Sequence, residues 1–147
     1  MTDQMSANPE LARRLLRCRH FRWMPGMLLR PNGCASKAAD RVAGVNETHI
    51  QTWAESWPAD GPRGMWVRYS RDRMAAHVPD LTDHATLGCL LAMVAKAHSY
   101  SIDDVHVVRT TGGWSVWLFR ADGSSARVVT REPGRVEALV AALEAAL

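Results

Sequence analysis

PDLTDHATLGCLLAMVAKAH, residues Pro79 to His98, is the stretch around which this chain is organised. Pro79 and Asp80 punctuate the chain, and Asp83 can cap a helix, because its short carboxylate accepts a backbone N–H of the first turn. Asp80 adds negative charge where the dipole of that helix favours it. Leu87, Leu90, Leu91, Val94 and His98 then recur at three- and four-residue spacing, the helical period. The opposite side offers only Thr86, Cys89, Met93 and Lys96, so the helix is apolar almost all round and is expected to be covered on two sides. Leu91 is read as core. Gly88 costs about 1 kcal/mol against alanine in a helix, which predicts a close approach by another backbone. Roughly fifteen residues are too few to span a membrane, and no membrane association is expected.

A chain of 147 residues with 47% apolar and 22% charged residues fits a soluble globular protein of one domain, residues 1–147. Within it a basic N-terminal half, 1–78, precedes a C-terminal half, 79–147. The N-terminus, MTDQMSANPE, lacks a charged-then-apolar leader, which predicts a cytoplasmic location. Three cysteines, an odd number, point to reduced thiols rather than a disulfide framework. The net charge of +3 is uneven: residues 1–42 carry eight Lys or Arg against three acids, whereas residues 80–147 carry six against eight. Most of the basic residues are arginine, which suits bidentate recognition of carboxylate or phosphate.

Asn8 and Pro9 open a first helix expected to run to about Arg19, with Leu11, Leu15 and Cys18 inward and Arg13, Arg14 and Arg17 on a solvent-facing flank. Arg22 and Trp23 follow, beside the Pro25-Gly26 turn, and extend that flank; arginines beside an exposed tryptophan have the composition of an interface anchor. Met27 to Arg30 reads as a strand. Cys34 to Pro62 is the least legible region: Arg41 to Val45 suits a strand or a helix end, and Asn46 suits the cap of a helix through Trp57, which would put Trp53 and Trp57 on one face. Residues 58–64 are a loop. Met65 to Ser70 alternates as a strand, with Trp66, Arg68 and Ser70 on one side and Val67 and Tyr69 on the other. Val105–Arg109, Trp114–Arg120 and Arg127–Thr130 form three consecutive strands, joined at Gly112-Gly113 and Asp122-Gly123. Pro133 opens a last helix, with Val136, Leu139, Val140, Leu143 and Leu147 on one face. The fold class expected is α+β: a mainly antiparallel sheet with helices packed on it, and a central helix at about 84–98.

The motifs RWMPGM (Arg22–Met27), PDLTDHATLGCLLAMV (Pro79–Val94) and VEALVAALEAAL (Val136–Leu147) resemble, in this order, a group of small uncharacterised proteins encoded by tailed phages and prophages. His84 stands where that group commonly has proline. The resemblance implies a phage origin and expression in the cytoplasm of a bacterial host.

Cys18, His20, Cys34 and His49 are of metal-binding type, but their spacing lacks the close pairs of a structural zinc site. His77, Asp80, Asp83 and His84 surround the helix start, where capping accounts for both aspartates. No GxSxG, HExxH or P-loop pattern occurs, so neither enzyme activity, metal nor cofactor is expected. Helix–strand–strand–strand–helix after residue 80 is the order of a double-stranded-RNA module, yet Glu132 and Glu137 stand where that module needs basic residues. Six tryptophans predict at least one exposed anchor. The functional reading is a non-catalytic phage or prophage accessory protein that binds a host protein or ribonucleoprotein, as an inhibitor of a defence system such as CRISPR–Cas. The alternatives are a phage nucleic-acid-binding protein that uses the basic N-terminal region, and a small virion or assembly component. A homodimer would cover any apolar helix face left outside the core.

Overall fold

The structure, a computed structural model, describes residues 8–32, 39–56, 66–123 and 126–147. It is α+β, with two antiparallel sheets and helices packed against them. The chain divides into two compact units: one takes the start of the chain to Arg13 and residues 23–89, and the other takes residues 14–22 and 90–147.

In the first unit, β1 (Leu28–Pro31), β2 (Ala39–Val45), β3 (His49–Ser56), β4 (Trp66–Ser70) and β5 (His77–Pro79) form one sheet in the order β4-β3-β2-β1-β5. All neighbouring strands are antiparallel. A 3-10 turn, Asp72–Ala76, leads from β4 to β5, which occupy opposite edges of the sheet. The rings of Tyr69 in β4 and His77 in β5 nevertheless lie 4.6 Å apart. Two edges can meet in this way only if the sheet curls on itself, and two register irregularities in β2 supply the extra twist. The result is a small, partly closed barrel.

The inner face of this barrel carries Leu29, Val42, Ile50, Thr52 and Ala54, each at most 1% exposed. Asp40 is buried among them and is satisfied: the Tyr69 hydroxyl donates to its Oδ2 at 2.6 Å, and the Thr52 hydroxyl lies 3.3 Å away. A carboxylate inside an apolar core is costly without such partners. Burial and the adjacent carboxylate together push the Tyr69 phenol well above its usual range.

The region from Asn46 to Ser56 corrects the helix expected there. Asn46 caps no helix; its side-chain oxygen accepts the backbone N–H groups of Thr48 and His49, closing a tight turn between β2 and β3. Asparagine favours both structures for the same reason, a short side chain that reaches nearby backbone. Strand period decides between them, since Ile50, Thr52 and Ala54 point inward while Gln51 and Trp53 are exposed. Trp53 therefore shares no helix face with Trp57, and Trp57 and the 58–64 loop lie outside the described residues.

α1 (Pro9–Arg17) starts as expected, with the Asn8 side chain accepting the N–H groups of Glu10 and Leu11, and ends two residues short of Arg19. The central helix, α2 (His84–Ala97), begins in the first unit and continues through the second. There Leu90, Met93 and Val94 are buried, while Leu91 is only half-buried, which corrects its reading as core. Gly88 is exposed, and a Cβ built on it would meet nothing within 4 Å, so no backbone approaches there.

The second unit also holds a three-stranded sheet, β6 (Val105–Thr110), β7 (Gly113–Phe119) and β8 (Ala126–Val128), and α3 (Arg135–Glu144). Helix, three strands and helix follow one another as expected. α3 lies against β6 and β7, burying Val105, Val116 and Leu118 with Leu139, Val140 and Leu143. His98, just past α2, brings its Nε2 to 2.7 Å from the Ala142 carbonyl. Gly113 permits both the β6–β7 turn, at φ +122°, and the close passage of Glu132: a Cβ there would sit 2.4 Å from the Glu132 carbonyl oxygen. No helix among the described residues is long and apolar enough to cross a membrane.

Leu90→Ala should destabilise by about 2–5 kcal/mol, and Leu91→Ala by clearly less, on the order of 1 kcal/mol. Gly88→Ala should stabilise by up to about 1 kcal/mol, whereas Gly113→Ala should cost about 1–3 kcal/mol. Chemical denaturation of the four variants checks this ordering, and equal costs at Leu90 and Leu91 would contradict the burial described.

Candidate functional site

Three groups of polar or aromatic side chains stand out. The first surrounds the start of α2. Asp83 Oδ2 accepts the Thr86 backbone N–H at 2.8 Å, the expected cap, and also the Thr86 hydroxyl at 3.0 Å. Arg41 reaches both Asp83 oxygens at 3.0 Å and donates to the Gly26 carbonyl. Asp80 is buried, accepts the N–H and hydroxyl of Thr82, and pairs with Arg30 of β1. Burial alone would push both carboxyls upward. For Asp80 the bonds from Thr82 and Arg30 outweigh burial, and for Asp83 those from Arg41 and Thr86 do, so both are held below the usual carboxylate range. Both carboxylates are engaged by chain partners at the start of α2. Cys89, whose thiol lies 3.6 Å from the Pro25 carbonyl, is pushed up by burial, away from nucleophilic thiolate character.

The second group is the set of arginines on α1 and the residues after it. Arg13, in the first unit, is exposed and 3.5 Å from Glu10. In the second unit Arg14 makes a two-pronged pair with Glu144 of α3, Nε to Oε1 at 3.2 Å and Nη2 to Oε2 at 2.6 Å. Arg17 is exposed and lines an open depression with Arg14, Cys18, Arg19 and the C-terminal residues 144–147. Arg22 folds back, donating from Nη1 to the carbonyls of Arg19 and Phe21. Trp23 is half-buried, less exposed than the anchor expected there. Arg14 and Arg22 are thus held by the protein itself, because a carboxylate and backbone carbonyls lie within reach of their guanidinium groups. Among the described residues no three His, Cys, Asp or Glu side chains gather as a metal site, and Cys34 lies outside them.

The third group was missed in the sequence. Trp53 of β3 and Trp66 of β4 are register partners on the outer face of the barrel, 37% and 59% exposed. Their rings meet edge to face, centroids 4.9 Å apart with 68° between planes. The next outward pair is Gln51 and Arg68, both exposed, followed by His49 and Ser70. Among the described residues no carboxylate pairs with Arg68. The period-2 alternation of HIQTWAES carried the signal for Trp53. It places Trp53 opposite Trp66 once the stretch is read as a strand.

Comparison with protein-family models, with curated proteins and with solved structures finds no match to this chain.

The depressed carboxyls set a pH dependence. A folded pKa below the unfolded value contributes stability that is fully present above about pH 4 and is lost as pH falls through the lower folded value. Thermal stability should therefore decline on acidification below about pH 4, and Asp83→Asn should flatten that decline while lowering stability at neutral pH. Parallel acid curves for the two proteins would show that Asp83 is not the linked group.

Proposed function

We propose that this chain is a non-catalytic accessory protein of phage or prophage type, which acts by binding a macromolecule of its bacterial host and so inhibits a defence system of the CRISPR–Cas kind. The observation that carries the binding reading is the Trp53–Trp66 pair. Two large indoles stand side by side in water, more exposed than the half-buried Trp23, Trp114 and Trp117, and exposed clusters of this kind mark interaction surfaces. Tryptophan and arginine are the residues on which binding energy concentrates, and Arg68 stands directly beside the pair. The phage setting comes from the resemblance of the RWMPGM and PDLTDHATLGCLLAMV motifs to phage proteins, and the defence target is inferred from that setting together with small size, uneven charge and the lack of a catalytic motif.

The test is phage plating on a bacterial host with an active defence system, with and without the expressed protein. Trp53→Ala combined with Trp66→Ala should abolish protection of the phage, while stability changes little, as surface substitutions usually do. Arg13→Glu with Arg17→Glu, run alongside, should leave protection intact. Full protection by the double tryptophan variant would sink the reading, and loss with the arginine variant alone would move the surface to the basic helix.

A further inference from the structure

Resting on the binding reading above, we propose that the outer face of β3 and β4 takes a single strand of nucleic acid. The face is the solvent side of a two-strand ladder whose other side fills the barrel core. Its side chains, in three successive pairs, are Trp53 with Trp66, Gln51 with Arg68, and His49 with Ser70. None of these six is a carboxylate, and Glu47 is exposed beyond them in the turn. Trp66 is the most exposed of these aromatics, and an indole face in that position is a stacking surface that accepts any base. Arg68 follows on the same side at one side-chain interval, about 7 Å along the strand, the scale of one nucleotide step. It can meet a phosphate, while the Gln51 amide and Ser70 hydroxyl offer both donors and acceptors to base edges. Exposed aromatics with hydrogen-bonding neighbours on an antiparallel sheet are how unpaired bases are held.

A duplex suits this face poorly, because its bases are already stacked and present only their edges. An acidic protein surface suits it less well than a single strand does. A protein hot spot sits in a pocket sealed by a ring of neighbours that exclude water, and here the neighbours are exposed polar side chains.

The experiment is fluorescence anisotropy of the whole chain with labelled single-stranded RNA and DNA of about 12 nucleotides, and with the matching duplex. Single strands should bind, quench tryptophan emission and outcompete the duplex. Trp66→Ala should weaken binding on the order of 5- to 150-fold, and Trp66→Phe should keep most of it. Arg68→Ala should weaken binding and lower the slope of log affinity against log salt by about 0.7. Comparison of RNA with DNA identifies the strand. Absence of saturable single-strand binding at about 50 mM salt overturns the proposal, as does duplex binding of equal strength that Trp66→Ala leaves unchanged. If no oligonucleotide binds but the tryptophan changes still abolish phage protection, the partner is a protein surface: this proposal fails and the binding reading stands. If oligonucleotides bind through Trp66 while protection is indifferent to it, this proposal stands and the defence reading fails.

Discussion

One carboxylate holds the first unit to its helix. Asp83 caps the first turn of α2 through the Thr86 N–H, accepts the Thr86 hydroxyl, and receives both guanidinium prongs of Arg41 from β2. Thr86 in turn accepts the backbone N–H of Leu28 in β1. A helix start and two adjacent strands thereby share one network in which buried polar groups are satisfied. A half-satisfied network of this kind is worse than an apolar contact, so its parts must arrive together. The spacing Asp83-x-x-Thr86 is thus more than a cap: it ties the first turn of α2 to β1 and β2. Asp80 does the same one step earlier, since the Arg30 pair and the Thr82 turn secure the segment between β5 and α2.

A second carboxylate, Asp40, performs the matching task inside the barrel. It sits on β2 and is reached by Thr52 of β3 and Tyr69 of β4, so one side chain ties three strands across the curl. Burying a polar group to do this is expensive, and one retained in a core is best understood as setting register. A one-residue slip of β3 would turn Thr52 outward and bury Trp53 in its place. The polar core and the exposed tryptophans are two consequences of the same register.

Where a signal was local, the sequence was legible. Asn8, Asp83, Pro133 and the glycines at 112–113 and 123 mark element ends through chemistry that needs only near neighbours, and those ends lie where expected within a few residues. The helix–three strands–helix order of the second unit follows from period alone. What failed were inferences that depend on distant partners. Leu91 belongs to the apolar stripe by spacing, yet the elements around α2 cover Leu90 and leave Leu91 half open. Trp23 looked like an anchor beside Arg22, but whether an indole is covered depends on residues remote in sequence. Asn46 misled because asparagine serves a helix cap and an Asx turn equally, and the pairing of β3 with β2 and β4 chose the turn. The candidate surface shared that failure, since Trp53 and Trp66 become neighbours only through the ladder between β3 and β4.

That ladder also explains why the aromatic pair sits on a sheet. Side chains on a strand stand perpendicular to a backbone fixed by ladder hydrogen bonds, on both sides for β3 and on one side for the edge strand β4. The edge-to-face contact then restrains each indole against the other. A surface built this way loses little conformational entropy when a partner arrives, because its main binding groups are ordered beforehand. Arginines on a helix flank differ: long side chains must be frozen on binding, and Arg14 and Arg22 would first have to leave the carboxylate and carbonyls that hold them. Pre-organisation therefore favours the tryptophan face over the basic helix as the surface for the proposed binding.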